Sequence, residues 1–269
     1  MTEARPDAFR VVRAFLVREF RVSLTYPFLF AAQGLGVFFT VVTTWYVAKI
    51  VDPETFALGG YFPFVVVALF VSTLLTAALP TLARNVREEQ QRGTLEAILA
   101  LGVSPVAFSL GAGAGPVIFA IPQVVLLGVL GGIFGVELAN ANWPLATVSL
   151  SLGAISFVGL GMVGAAAVLA FRRAEAAIGW LLVALTFAAG EFFPPDLLPK
   201  WIRDVSLLSP VTWCLKLVRG ALLEGWGWGR APGPLVALAA IAVVSCLAGV
   251  LCLGLAIVRS RRHGTLALY

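Results

Sequence analysis

Long apolar runs alternate with short polar clusters along this chain, and the runs are of the length that crosses a bilayer. A hydrocarbon core of about 30 Å takes roughly 20 mostly apolar helical residues. Six blocks reach or approach that length, at about 28–48, 61–83, 106–134, 145–171, 177–193 and 233–258. The fifth is the shortest, because its apolar part ends near residue 190 and only Glu191 to Phe193 would extend it. Pro116 and Pro122 are expected to kink the third span. Gly153, Gly159, Gly161 and Gly164 mark the fourth as a place where helices approach closely.

The polar connections carry patterns of their own. At 100° per residue Arg10, Arg13, Arg18 and Arg21 fall within an arc of about 140°, roughly opposite Phe9, Val12, Leu16 and Phe20. This predicts a helix lying in the membrane interface over 8–25; Glu19 falls on its apolar side and requires a protein partner. Tyr26-Pro27 then turns the chain into the first span. In the connection 84–104, Gly93 breaks the chain, Thr94 caps, Glu96 sits in the positive first turn, and Leu95, Ile98 and Leu99 share one face. That reads as a short amphipathic helix, either a solvated surface element or a docking handle. Residues 192–230 interleave apolar residues with prolines, tryptophans and charges. Such a segment is tolerated at membrane depth only where protein or a watery cavity satisfies its backbone.

Composition agrees with a membrane protein and narrows the chemistry. Of 269 residues, 60% are hydrophobic and 12% charged, against about 45–50% apolar in soluble domains. The formal charge of +5 does not indicate nucleic acid, because the basic residues sit in short clusters between apolar blocks. With both termini inside, thirteen arginines fall on the cytoplasmic side and six basic residues outside, so both termini are expected in the cytoplasm of a plasma or inner membrane. The first 26 residues hold five arginines and no apolar stretch of signal-peptide type, leaving the first span as the expected targeting signal. Cys214, Cys246 and Cys252 show no metal or redox spacing, and no metal site is expected. An enzyme is disfavoured because His263, the only histidine, lies in the C-terminal tail, outside the spans. Spans 1, 2, 3, 4 and 6 contain no ionisable residue between their ends, which argues against an ion-coupled carrier, the alternative reading alongside a membrane scaffold. The chain has no G-x-x-x-x-G-K-[ST] phosphate loop, so ATP chemistry would belong to another polypeptide.

The segment E-x-x-x-G-T-L-E, here Glu89, Gly93, Thr94, Leu95 and Glu96, followed by the aliphatic run with Ile98 and Leu99 and then by Ser104-Pro105, resembles the coupling segment of ATP-binding-cassette permeases of the type-2 exporter class. The N-terminal helix ending in Arg18-Glu19-Phe20 looks like that family's gate helix. FFPPDLLPKWI, LSPVTW and LVRGALL, containing Pro194, Pro195, Ser209, Pro210, Arg219 and Gly220, are similar to its re-entrant hairpin; the commoner form has asparagine where Ser209 stands. The resemblance implies an all-α polytopic membrane protein forming a single transmembrane domain. It would have six spans, an interfacial N-terminal helix and a re-entrant hairpin over about 192–230. It also implies two ABC ATPase subunits as partners, which would bind ATP and magnesium, so that this chain holds no cofactor of its own. A second copy or a paralogue would complete the assembly among membrane lipids, and the cargo would be an amphiphile such as a drug or lipid, or a polysaccharide, exported from the cytoplasm.

Two features stay open on sequence alone. Glu191 is either a contact to substrate or subunit, or a structural carboxylate hydrogen-bonded at the outer interface. Lys216 and Arg219, three residues apart, either attract an anionic head group or snorkel to the interface.

Overall fold

The structure is a computed structural model that describes residues 10, 12–14, 16–17, 21, 27–51, 56, 59–93, 105–171 and 174–263. Among the described residues it contains helices and no strand. The helices are α1 (Pro27–Ala48), α2 (Tyr61–Gln91), α3 (Pro105–Ile133), α4 (Trp143–Ala170), α5 (Ala174–Ala188), α6 (Lys200–Ser206), α7 (Pro210–Leu222) and α8 (Pro232–His263), with a 3-10 turn at Pro195–Leu197. Five of them are long and apolar enough to span a bilayer, and α6 and α7 form a pair bent by 87°. The protein is an all-α, multi-pass membrane protein.

Helix α4 is the centre of the bundle because its small residues admit a neighbour on each face. A Cβ on Gly159 would lie 2.6 Å from the Ser245 carbonyl carbon of α8, and one on Gly161 would lie 2.8 Å from the Ala78 oxygen of α2. Gly153 meets Cys214 of α7, and Gly164 meets Ile178 of α5. The four glycines thus seat four different helices, and from α8 Gly249 returns the contact by facing the Gly159 oxygen. The Ser156 and Ser245 hydroxyls meet at 3.2 Å in the same seam, closing the α4–α8 contact with a polar pair that needs no water. Asn142 caps α4, its side chain accepting from Leu145 N at 3.2 Å.

Burial separates the helices by role. Most of the α2 span is enclosed, whereas α1 and α3 are nearly all outward-facing, with Leu35, Phe39, Ile121 and Val125 exposed. Such apolar surface suits lipid tails or another subunit. The described part of the N-terminal helix has the expected amphipathic sense, with Arg10, Arg13 and Arg21 exposed and Val12 and Leu16 half-buried. Arg18, Glu19 and Phe20 lie outside the described residues.

Two boundaries differ from those read in the sequence. Helix α2 runs eight residues past the expected end at 83, through Gln91, because Val86, Glu89 and Gln90 keep a buried face and no breaker occurs before Gly93. The expected coupling connection therefore begins as helix. Helix α3 passes through Pro116 and Pro122 without interruption. The fifth span is not 177–193: α5 has 15 residues and ends at Ala188, so Glu191 to Phe193 do not continue it. Gly190 turns the chain at φ 72°, and a Cβ there would lie 2.8 Å from the Phe193 oxygen. At about 1.5 Å per residue α5 covers about 22 Å, short of a hydrocarbon core.

Candidate functional site

The segment between α5 and α8 is built by its prolines and caps. Pro195 opens the 3-10 turn, and Pro199 precedes α6. Ser209 caps α7, its hydroxyl accepting from Val211 N at 3.2 Å, and Pro210 occupies the first turn where its missing N–H is harmless. Serine and asparagine are comparable N-caps, so Ser209 does the local work expected of the commoner asparagine. The Trp213 indole donates to the Leu207 oxygen at 2.8 Å and pins the bend between α6 and α7.

The two ends of this segment meet. Arg219 Nη2 donates to the carbonyl oxygens of Gly190 and Glu191, each at 3.0 Å. Its Nε and Nη2 reach the Phe64 oxygen of α2 at 3.4 Å, and the guanidinium stacks on the Phe64 ring at 3.5 Å. The segment that leaves α5 at Gly190 returns to the same point at Arg219, where an arginine clasp closes it, and within it α6 and α7 are bent by 87°. The Asn142 backbone N–H donates to the Ala221 oxygen at 2.8 Å and ties the exit to the start of α4.

Arg219 and Glu191 are both buried, at 6% and 5% exposed. Among the described residues the hydrogen bonds of Arg219 all go to backbone carbonyls, while the Glu191 carboxylate accepts from the Ser72 hydroxyl of α2. Guanidinium suits this position because its planar fork serves several carbonyls at once and its face stacks on an aromatic ring. Lys216, by contrast, is exposed beside Trp213, with Nζ 5.6 Å from the ring. The two cations therefore do not share a face: Arg219 is an internal clasp, and neither a head-group attractor nor a snorkelling chain. Gly220 is the seat of Trp226, whose ring would lie 2.4 Å from any Cβ there.

Pro194, Pro195, Arg219, Gly220 and Glu191 thus gather around the clasp, with Ser209 and Pro210 at the bend. Phe64 and Ser72 complete the clasp although no local pattern marks them. They lie 155 residues before Arg219 and 119 before Glu191, respectively.

The far end of α2 carries two of the expected coupling residues, Glu89 and Gly93. The Arg87 Nε lies 3.6 Å from Glu175 Oε1 and links α2 to α5, and Arg92 pairs with Glu88 at 3.1 Å. Gly93 ends α2 at φ 70°, with its N–H donating to the Gln90 oxygen at 3.2 Å. Glu89 is buried, so the last turn presents Arg92 and Gln91 rather than Glu89. Thr94, Leu95, Glu96, Ile98 and Leu99 lie outside the described residues. No cluster of metal-ligating side chains occurs among the described residues.

The sequence matches a protein-family model described as ABC-2 type transporter over residues 10–223, from the N-terminal helix to the end of α7. No curated protein matches it.

Proposed function

Because the chain belongs to the ABC-2 type transporter family, it is a membrane permease subunit and not itself catalytic, and we propose that it exports an amphiphile, such as a drug or lipid, or a polysaccharide. Permeases of this family work with ABC ATPase subunits, which is the kind of partner the chain takes. In the proposed assembly two ATPase subunits, binding ATP and magnesium, sit beneath two copies of this chain or beneath one copy and a paralogue. The arginine-rich end faces the cytoplasm of a plasma or inner membrane, in keeping with the excess of arginine there.

Helix α2 supports a mechanism for coupling. It is continuous for 31 residues, about 46 Å at 1.5 Å per residue, from Phe64 and Ser72 at the clasp to the Gly93 turn. Displacement of the turn by a closing ATPase pair is transmitted along this continuous helix, through Pro80, to the hairpin. Helix α5 moves with it, because Arg87–Glu175 joins the two at the cytoplasmic end and Gly190 delivers α5 directly to Arg219. The segment 94–101 is the docking element in this reading, and the hairpin is the element that moves.

The observation that carries the reading is the family match across the N-terminal helix, the coupling connection and the hairpin. Its test is purification of the tagged chain from native membranes in mild detergent, with stoichiometric partners identified by mass spectrometry. An ABC ATPase at equal amounts is the expected outcome. Reproducible absence of one from intact, folded protein would favour a carrier or a scaffold.

A further inference from the structure

Gln33 of α1 and Gln123 of α3 meet on the outward side of the bundle, with Gln123 Nε2 donating to Gln33 Oε1 at 3.1 Å. Their depth follows from the aromatic end of the same two helices, where Trp45 packs on Phe134 at 5.6 Å and the Lys49 ammonium lies 3.5 Å over the Trp45 ring. Tryptophan and lysine together mark a membrane interface. Gln33 is twelve residues below Trp45 and Gln123 eleven below Phe134, or about 16–18 Å along the helices at 1.5 Å per residue. A hydrocarbon core of about 30 Å puts the pair near the midplane.

Each primary amide offers two donors and two lone pairs. The bond between them uses one N–H of Gln123 and the carbonyl of Gln33. Among the described residues the Gln33 amide nitrogen and the Gln123 carbonyl have no hydrogen-bond partner, and Gln33 is exposed. Leaving such groups in lipid costs several kcal/mol. This side of α1 is therefore not a lipid face. At 100° per residue Thr40 and Thr44 fall within about 20° of Gln33, which places hydrogen-bonding groups at three levels from the midplane toward the aromatic end. Both hydroxyls donate to their own helix, Thr40 to Gly36 at 2.9 Å and Thr44 to Thr40 at 2.8 Å, and so present lone pairs as acceptors. Neither α1 nor α3 contains an ionisable residue with a fixed charge.

We propose that the Gln33–Gln123 pair is a midplane station for the cargo, taking the neutral, hydrogen-bonding head of an amphiphile, with Thr40 and Thr44 as the next contacts on its way out. The chemistry selects hydroxyl or amide heads over ionic ones, because four uncharged groups leave an ion in a low-dielectric site without a counter-charge. The inference rests on the permease reading and adds a cargo class and a site to it. A second copy of the chain seated on the same face is the rival occupant.

The test uses the full chain in membranes with Cys246 and Cys252 replaced by alanine, carrying Gln33→Cys or, as a control at nearly the same depth on another side of α1, Leu35→Cys. Both are treated with a charged, water-soluble methanethiosulfonate. The expected result is labelling of Gln33→Cys at least about tenfold faster than Leu35→Cys, the factor that one unit of thiol pKa in an apolar setting is worth. Decyl maltoside below its micellar concentration is expected to slow the labelling, and decyltrimethylammonium to leave it unchanged. Equal, slow labelling of both sites overturns the proposal, as does a disulfide between two Gln33→Cys chains, which would make the face a subunit contact. Slowing by the cationic probe alone overturns the cargo class. Gln123→Cys provides the same readout if Gln33→Cys fails to assemble. Copurification of the ATPase is scored on the same preparations: its presence with no labelling sinks the station alone, and its absence sinks the permease reading and the station with it.

Discussion

Replacing Arg219 by methionine isolates the clasp, because methionine keeps an apolar chain over Phe64 while removing every donor. Two bonds of 3.0 Å, to the oxygens of Gly190 and Glu191, are lost. Hydrogen bonds from a charged group contribute roughly 1.5–3 kcal/mol each, and the 3.4 Å contacts to Phe64 add little, so the expected loss is about 3–6 kcal/mol. The Glu191 carboxylate also loses the favourable field of the guanidinium. Neutralising it in Arg219→Met/Glu191→Gln should return about 1–2 kcal/mol relative to the sum of the single changes. The assay is the temperature at which detergent-purified protein loses its monodisperse size-exclusion peak, compared at one heating rate so that irreversible loss does not shift the comparison. At roughly 2–4 °C per kcal/mol for a protein of this size, Arg219→Met should fall by roughly 6–24 °C. Arg219→Lys should recover only part, since a point charge cannot serve several carbonyls and stack at the same time. A fall of less than about 2 °C for Arg219→Met would refute the clasp as the closure of the hairpin.

Gly159→Leu places its Cβ within 2.7 Å of two backbone atoms of α8, so the helices must part and thermal stability should fall by about 1–3 kcal/mol or more. Gly36→Ala, where a Cβ meets nothing within 4 Å, should stay within about 0.5 kcal/mol in the same melt. Gly93→Pro cannot adopt φ 70°; in the proposed mechanism it leaves the folded assembly intact and abolishes cargo-stimulated ATP hydrolysis, and normal stimulation would remove the turn from the coupling path. Glu175→Gln breaks a partly exposed 3.6 Å pair, so it should cost less than about 1 kcal/mol in thermal stability.

Several of these sites could be read in advance, and the reason is local. The glycines of α4 announced close packing because small residues in an apolar helix have few other uses in lipid, and each one seats a neighbour. Ser209 and Asn142 start their helices through capping chemistry that lies within three residues. Glu191 was marked by its position at the end of an apolar block, but its partners Ser72 and Arg219 lie 119 and 28 positions away in the chain, beyond any local pattern. Lys216 and Arg219 looked equivalent until packing put one outside and the other inside. The end of α2 was misplaced because polar residues at 84–91 resemble a loop, although a buried stripe through Val86 and Glu89 continues the helix.

Apolar run length therefore determined by itself that this chain is a helical membrane protein, since it depends only on the thickness of a bilayer, whereas the hairpin before the last span was an expectation of the family resemblance. The tertiary structure alone decided that the hairpin is closed by Arg219 on the carbonyls of Gly190 and Glu191, that α2 links the clasp to the Gly93 turn, and that Gln33 finds Gln123. These pairings join residues 28 to 155 positions apart, and no periodicity of helix or strand reaches that far, because partners at such distances are chosen by the packing of whole helices.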